Sequence, residues 1–316
     1  MHVIYVALET GFLAGAVYGL MASGMALIYG VTRVVNVAQG GVALLGAYLS
    51  YSLAQNLHVD PFLSLIAVIP IAFVFGAAVY VVLIRRMRAG TLMRAVLITA
   101  AIAFILQGAF ETAFGTQLVT INASYVTATF AVRHDYIPYV YLFGFLLSVA
   151  LLAALYVFLY RTRLGRLVRL TAQSRGAARV AGVDLRRIDA LVFGIGFAFA
   201  AAGGTVYGTI SPFNPVSSYD LITRLLAIVL IAGLGSIPGA VIVAIVLMMI
   251  QNVTQIYAPV GATAVFYVAL ALSLIVRPRG ILDWNRWLAG LRARLETIVP
   301  LPSPQTRQRN NASSTR

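Results

Sequence analysis

Apolar runs long enough to cross a bilayer recur along this chain, separated by short polar segments. They place spans at about 8–30, 38–55, 62–84, 93–112, 138–160, 188–209, 221–234, 238–257 and 261–277. The first is a candidate broken helix. The runs at 93–112 and 221–234 are candidates for partial or re-entrant segments, so the count is about eight to ten. Stretches such as ALYVFLY do not alternate residue by residue, which excludes a transmembrane barrel. The fold class is therefore all-α, a polytopic helical membrane protein with some helices discontinuous.

The polar segments carry the orientation. All 23 basic residues are arginine, and nine spans with the C-terminus inside leave only Arg133 and Arg224 on the outer side. Arginine collects in cytoplasmic loops, so the N-terminus is expected outside and the C-terminus inside. The longest internal basic segment, 161–187, holds eight arginines and one acid. Within it, LTAQSRGAARVA (170–181) has good helix propensity apart from Gly176, and Gly182 stands where a helix would end. The main outer loop is 113–137, with Asn122, Ser124, Arg133, His134 and Asp135. Near the C-terminus, Trp284 and Trp287 flank Arg286, which fits an interfacial amphipathic helix at about 283–296. The polar, Pro/Ser-rich tail 300–316 reads as disordered.

Composition removes much chemistry. The chain is 61% apolar and 10% charged, against about 45–50% and about 25% in soluble domains. Lysine and cysteine are absent, so a Walker-A ATP site, a Schiff-base lysine and a cysteine nucleophile are all excluded. No cofactor and no metal site is expected, since the only histidines are His2, His58 and His134, all mapping outside. The net charge of +14 follows from the loop arginines and requires no nucleic-acid partner. A basic n-region and an A-x-A site are missing at the N-terminus, so the first apolar run reads as a retained helix.

Four constellations interrupt the apolar pattern. Asn36-Val-Ala-Gln39-Gly40-Gly41 is either a plain cytoplasmic turn capped by Asn36 or a broken helix lining a cavity. Gly233-Leu-Gly235-Ser236-Ile-Pro-Gly239 is a second glycine-rich break; its GxGxxxG spacing and the lack of a preceding strand exclude a nucleotide loop. One break in each half points to a central site between repeats, although no sequence repeat is strong enough to establish duplication. Glu9, Arg33, Glu111, Asp220 and Arg224 lie near span ends, and Asp220 and Arg224 can pair at i, i+4. With no acid near the middle of a span, a proton- or sodium-driven carrier is disfavoured. Small residues also repeat every four positions: Gly11, Gly15, Gly19 and Ser23; Gly196, Ala200, Gly204 and Gly208; Ser236, Ala240 and Ala244. Such ladders let helices approach closely, or let backbone face a substrate path.

Taken in order, these motifs resemble the permease subunits of ABC importers for branched-chain amino acids, the LivH type. The resemblance covers about residues 8–282 and rests on NVAQG (36–40) with Gly46-Ala47-Tyr48, then Arg169, Ala177-Ala178 and Gly182-Val183. It continues with FAFAAAGGTVYG (197–208), AGLGSIPGA (232–240) and Pro278-Arg279-Gly280-Ile281-Leu282. It implies a permease domain over 1–299 in a bacterial inner membrane. The implied partners are a second permease subunit of LivM type, two cytoplasmic ATPase subunits and a periplasmic substrate-binding protein. The loop 161–187 would be the coupling element, with Arg169, Ala177, Ala178 and Gly182 meeting the ATPase. The substrate path would involve Asn36, Gln39, Gly40, Gly41, Gly203, Gly204, Gly235 and Ser236. Gln39 departs from the family's usual histidine, and Gln173-Ser174 from its common acidic residues. Relatives also carry urea, short amides and aromatic acids, so the solute stays open.

Overall fold

A computed structural model describes residues 2–86, 92–121, 129–132 and 135–276. The interfacial helix expected at 283–296, the tail 300–316 and the motif beginning at Pro278 lie outside these residues.

Eleven helices appear among the described residues: α1 (His2–Thr32), α2 (Gln39–Leu57), α3 (Pro61–Val82), α4 (Leu92–Phe114), α5 (Tyr139–Arg161), α6 (Arg163–Gln173), α7 (Arg175–Val180), α8 (Leu185–Ile210), α9 (Ser217–Ala232), α10 (Ile237–Tyr257) and α11 (Ala264–Val276). Six of them, α1, α3, α4, α5, α8 and α10, are long and apolar enough to cross a membrane. A small antiparallel hairpin, β1 (Thr129–Val132) with β2 (Asp135–Pro138), adds strands to the all-α expectation. Helix starts follow local chemistry. Asp60 caps α3 ahead of Pro61, Thr162 caps α6, Asp184 caps α8 and Ser236 caps α10, each side chain accepting from an amide in the first turn.

The nine expected segments coincide with helices α1–α5 and α8–α11, with small boundary shifts, but α2, α9 and α11 are not among the six described helices long and apolar enough to cross, and three local expectations change. The first helix is unbroken and α4 is full length. In place of one basic helix at 170–181 there are two, α6 and α7, separated at Ser174.

Two long pairings form the frame. α1 runs antiparallel to α10, with the backbone of α10 filling the space beside Gly11, Gly15 and Gly19 at Met249, Ile245 and Val241. α3 runs antiparallel to α8, where Phe73 covers Gly194 and Gly76 abuts Phe193 and Phe197. Without an apolar driving force between helices in lipid, such small-residue contacts supply the packing.

The pairings follow one pattern in both halves. α1 packs on α10 as α8 packs on α3, and α2 and α9 pack on each other between them. Tyr29-Gly30 and Tyr207-Gly208, Thr32 and Ile210, Asn36 and Asn214, and Gln39 and Ser217 all stand at one constant offset. α1 ends on the arginine-rich face and α8 on the opposite face, so the two halves have inverted topology.

α1 and α8 are each followed by an extended segment that turns back into the bundle. After α1, Arg33 adopts a left-handed φ of 60° and residues 33–38 run inward. Gln39, at the start of α2, donates to the carbonyls of Met21 and Gly196, both deep within α1 and α8. After α8, residues 211–216 do the same, and α9 begins beside α2: the Ser218 carbonyl and the Ile222 amide lie against Gly40. Extended backbone at this depth must have its polar groups satisfied by protein. Val34 N–H donates to Thr32, Val37 N–H to Thr99 Oγ1 and Ala38 N–H to Asn36 Oδ1. In the second segment Phe213 exchanges both backbone bonds with Val119.

Candidate functional site

The point where α2 and α9 meet is the first candidate. Asn36 and Gln39 are fully buried. Asn36 Nδ2 donates to Gln39 Oε1 at 2.8 Å, and Asn36 Oδ1 accepts from Ala38 N–H. In the second half Asn214 Oδ1 accepts from both the amide and the hydroxyl of Ser217. Each asparagine closes a local side-chain-to-backbone turn just ahead of a half-helix, a bond that Asn forms readily. The Gln39 amide is spent on Asn36 and two backbone carbonyls, so the departure from histidine sits in the scaffold.

The expected path glycines divide by position. Gly40 touches α9 and Gly41 faces Leu106 and Ala103 of α4. Gly203 lies against Met21 and Val17 of α1, and Gly204 lies on the backbone of Ala43 where α2 crosses α8. Gly46 meets Ala201 at the same crossing, and Thr205 Oγ1 donates to the Gly46 carbonyl at 3.1 Å. Gly235 and Ser236 stand elsewhere. Gly235 has φ 90° against Gly30 near the end of α1, and Ser236 caps α10. The break at 233–239 is thus a turn at the arginine-rich face, and the partner of the 36–41 break is 211–216. Pro212, Asn214 and Pro215 mark it, and the repeated Tyr-Gly…Asn spacing was the signal that sequence reasoning missed.

Asp220 and Arg224 do pair, at 2.8 Å, but within the bundle. The Arg224 side chain is 12% exposed. It donates to Gln251 Oε1 at 2.8 Å and lies over the rings of Phe266 and Tyr18. α9 starts at depth, so these residues are not at a span end as expected. The Asp220 side chain is 35% exposed, and its removal leaves the buried Arg224 charge with Gln251 as a remaining partner. Asp220→Leu is expected to cost about 2 kcal/mol, seen as a lower thermal midpoint in detergent. Asp220→Leu with Arg224→Leu should recover most of it, and an unchanged midpoint in the single variant would refute the account.

The second candidate is the arginine-rich face. α7 ends in a Schellman motif: Val183 N–H bonds to the Ala178 carbonyl and Gly182 N–H to the Arg179 carbonyl, with Gly182 at φ 76°. Glycine is required there because an L side chain is strained at that φ. Ala177 and Gly182 are exposed, whereas Ala178 is fully buried and turned into its own chain. Val180 projects furthest, 91% exposed. Arg169 stacks on Tyr160 at 4.4 Å, tying α6 to α5.

Behind α7 lies a charge cluster that sequence reasoning did not single out. Asp189, 2% exposed, accepts from Arg175 Nη1 at 3.1 Å, from Arg175 Nη2 at 2.7 Å and from Tyr80 Oη at 2.8 Å. Arg175 Nη1 also donates to the Val31 carbonyl at 2.9 Å. The hydrogen bond that the guanidinium donates to the Asp189 carboxylate raises the Arg175 pKa above its ordinary value, so the guanidinium stays charged. Arg85, Arg179, Val183 and Arg186 wall an open cavity of about 430 Å³ beside this cluster.

The family model described as "Branched-chain amino acid transport system / permease component" matches residues 7–277. The high-affinity branched-chain amino acid transport system permease protein LivH of Salmonella typhimurium is 26% identical over 86% of this chain and 93% of the relative. The corresponding permease protein BraD of Pseudomonas aeruginosa is 27% identical over 87% and 94%. Among solved structures, a chain of PsaBC from Streptococcus pneumoniae in complex with Fab is similar at TM-score 0.46 and 14% identity, over 89% of this chain and 94% of that one.

Proposed function

The chain belongs to the permease-component family of branched-chain amino acid transport systems, and from that premise we propose that it is one membrane subunit of an ATP-driven importer. It performs no chemistry. Together with a second, LivM-type permease subunit it forms the pathway for a branched-chain amino acid or a related small amphipathic solute. Two cytoplasmic ATPase subunits hydrolyse the ATP, and a periplasmic binding protein delivers the solute. The arginine-rich face is cytoplasmic, which puts the N-terminus in the periplasm and the C-terminus inside.

The observation that carries this reading is α7. It is a short helix projecting from the arginine-rich face, ending in the exposed Val180, with its first residue anchored to α1 and α8 and, through Asp189, to Tyr80 of α3. That is the form expected of an element that fits a groove on a cytoplasmic partner and passes its movement inward. The contact surface is made by Ala177, Val180 and Gly182, while Arg169 and Ala178 hold the element's shape. Movement of the spans opens the path past the α2–α9 meeting, where Asn36, Gln39, Gly40 and Gly41 stand. Gly203, Gly204, Gly235 and Ser236 serve by close packing and by turning the chain.

The test is reconstitution in vesicles with and without the ATPase pair and the binding protein. Uptake is expected only with all components and ATP, and uptake by this chain alone would overturn the reading. Asn36→Ala, which removes the hydrogen bonds to Gln39 and to the Ala38 amide at about 1 kcal/mol each, should lower uptake while the complex still assembles.

A further inference from the structure

The Asp189–Arg175 pair lies where four elements converge, and it joins both inverted halves. α1 enters through the Val31 carbonyl and α3 through Tyr80, both from the first half. α8 enters through Asp189 itself, from the second half, and α7 through Arg175, its first residue. Apart from this cluster, α7 packs on α6 and sparsely on the start of α8. Its far end, Val180, is nearly bare. A push on α7 reaches α1 directly through the Arg175 guanidinium and α3 through the carboxylate that it holds, beside the indirect routes by way of α6 and α8.

We infer that Arg175 and Asp189 are positioning residues forming the joint through which α7 drives α1, α3 and α8 as one unit. This rests on the reading of α7 as the ATPase-docking element and names what lies behind it. The physical basis is the cost of letting go. Asp189 is buried and its carboxylate is fully engaged, so releasing Arg175 leaves a buried charge uncompensated. The bidentate fork also fixes orientation as well as distance, which a single contact does not. The joint stays closed through the cycle and turns a displacement of α7 into a rigid-body shift of helices from both halves.

A structural ion pair and a transmitting joint make different predictions when both charges are removed. Replacing a buried pair with apolar residues of similar volume is often neutral or stabilising. The experiment uses the full complex in vesicles and compares wild type, Asp189→Asn, and Arg175→Met combined with Asp189→Leu. The readouts are thermal midpoint, ATPase retention on purification, ATP hydrolysis, and solute moved per ATP. Asp189→Asn is expected to lower the midpoint. The double variant is expected to regain it and keep its ATPases and hydrolysis, yet move roughly tenfold less solute per ATP, within the usual range of coupling between separate sites. Wild-type solute per ATP in the stable double variant would overturn the joint. Loss of ATPase retention in that variant would overturn it too, because the pair would then be shaping the docking surface. Failure of the underlying reading shows separately, as unchanged ATPase retention when the bare tip of α7 is altered.

Discussion

Replacing Gly46 with valine is expected to eliminate the folded permease, leaving aggregated protein on size-exclusion chromatography. At the α2–α8 crossing, Gly46 faces the backbone of Ala201 and Gly204 faces the backbone of Ala43. A Cβ at either site would meet carbonyl and Cα atoms of the opposing helix rather than the end of a flexible side chain. Overpacking that side chains can absorb costs about 1–3 kcal/mol. Here the helices themselves must separate, breaking the Thr205–Gly46 hydrogen bond and the packing of the half-helix α2, so the cost lies above that range. Gly108 is the control, because a Cβ there meets nothing within 4 Å. Gly108→Ala should leave the elution profile and thermal midpoint unchanged. A monodisperse, wild-type-like Gly46→Val protein would show that the crossing is not as close as described.

A second large effect is expected on the arginine-rich face, with the opposite signature. Val180→Asp should abolish solute uptake while the chain inserts and melts as wild type. The side chain is 91% exposed, so the substitution removes no internal contact, and surface changes of this kind alter stability by about 0.5 kcal/mol or less. In the complex the same position would be covered by the ATPase, and a carboxylate there would be buried without a partner. A hot-spot loss of about 2 kcal/mol corresponds to roughly thirtyfold weaker association. Co-purification of the ATPase pair with the variant measures it. Wild-type retention would remove α7 from the docking surface and with it the premise of the joint.

Much of this architecture was legible in the sequence because the bilayer simplifies the reading. A span needs about 20 apolar residues, and α1, α3, α5, α8 and α10 each announce themselves by that length. The arginines set apart one face because they are so unevenly distributed. The glycine at 182 was legible as a helix stop because a Schellman motif needs a left-handed residue at that position. The motifs at 36–48, 169–183, 197–208 and 232–240 sufficed to suggest the family that matches residues 7–277.

Other features were not readable, for identifiable reasons. Gly233-Leu-Gly235 looks more like a membrane break than Pro212-Phe-Asn214-Pro215, because glycine richness is the more familiar cue. Which of them lies at depth depends on the packing of α9 against Gly40, a contact between residues far apart in the chain. Asp189 carries no motif that singles it out in the sequence. Its importance comes from Arg175 of α7 and Tyr80 of α3, which converge on it, and from Val31 of α1, which holds Arg175 in turn. Ala178 and Ala177 are adjacent and chemically identical, yet one is buried and the other exposed, a difference set by how α7 lies on α6 and α8.

The sequence by itself determined that this is a helical membrane protein, where its long helices lie, which loops share a face and which chemistry it lacks. Length, hydropathy and charge act locally, so they can be read locally. Only the tertiary structure decided that the two halves pack in one pattern with inverted topology, that their half-helices meet at Gly40 and Ser218, and that the basic loop is latched to the bundle through one buried carboxylate. Those outcomes depend on close approach between distant segments, where a single Cβ or an unpaired charge settles which arrangement is allowed.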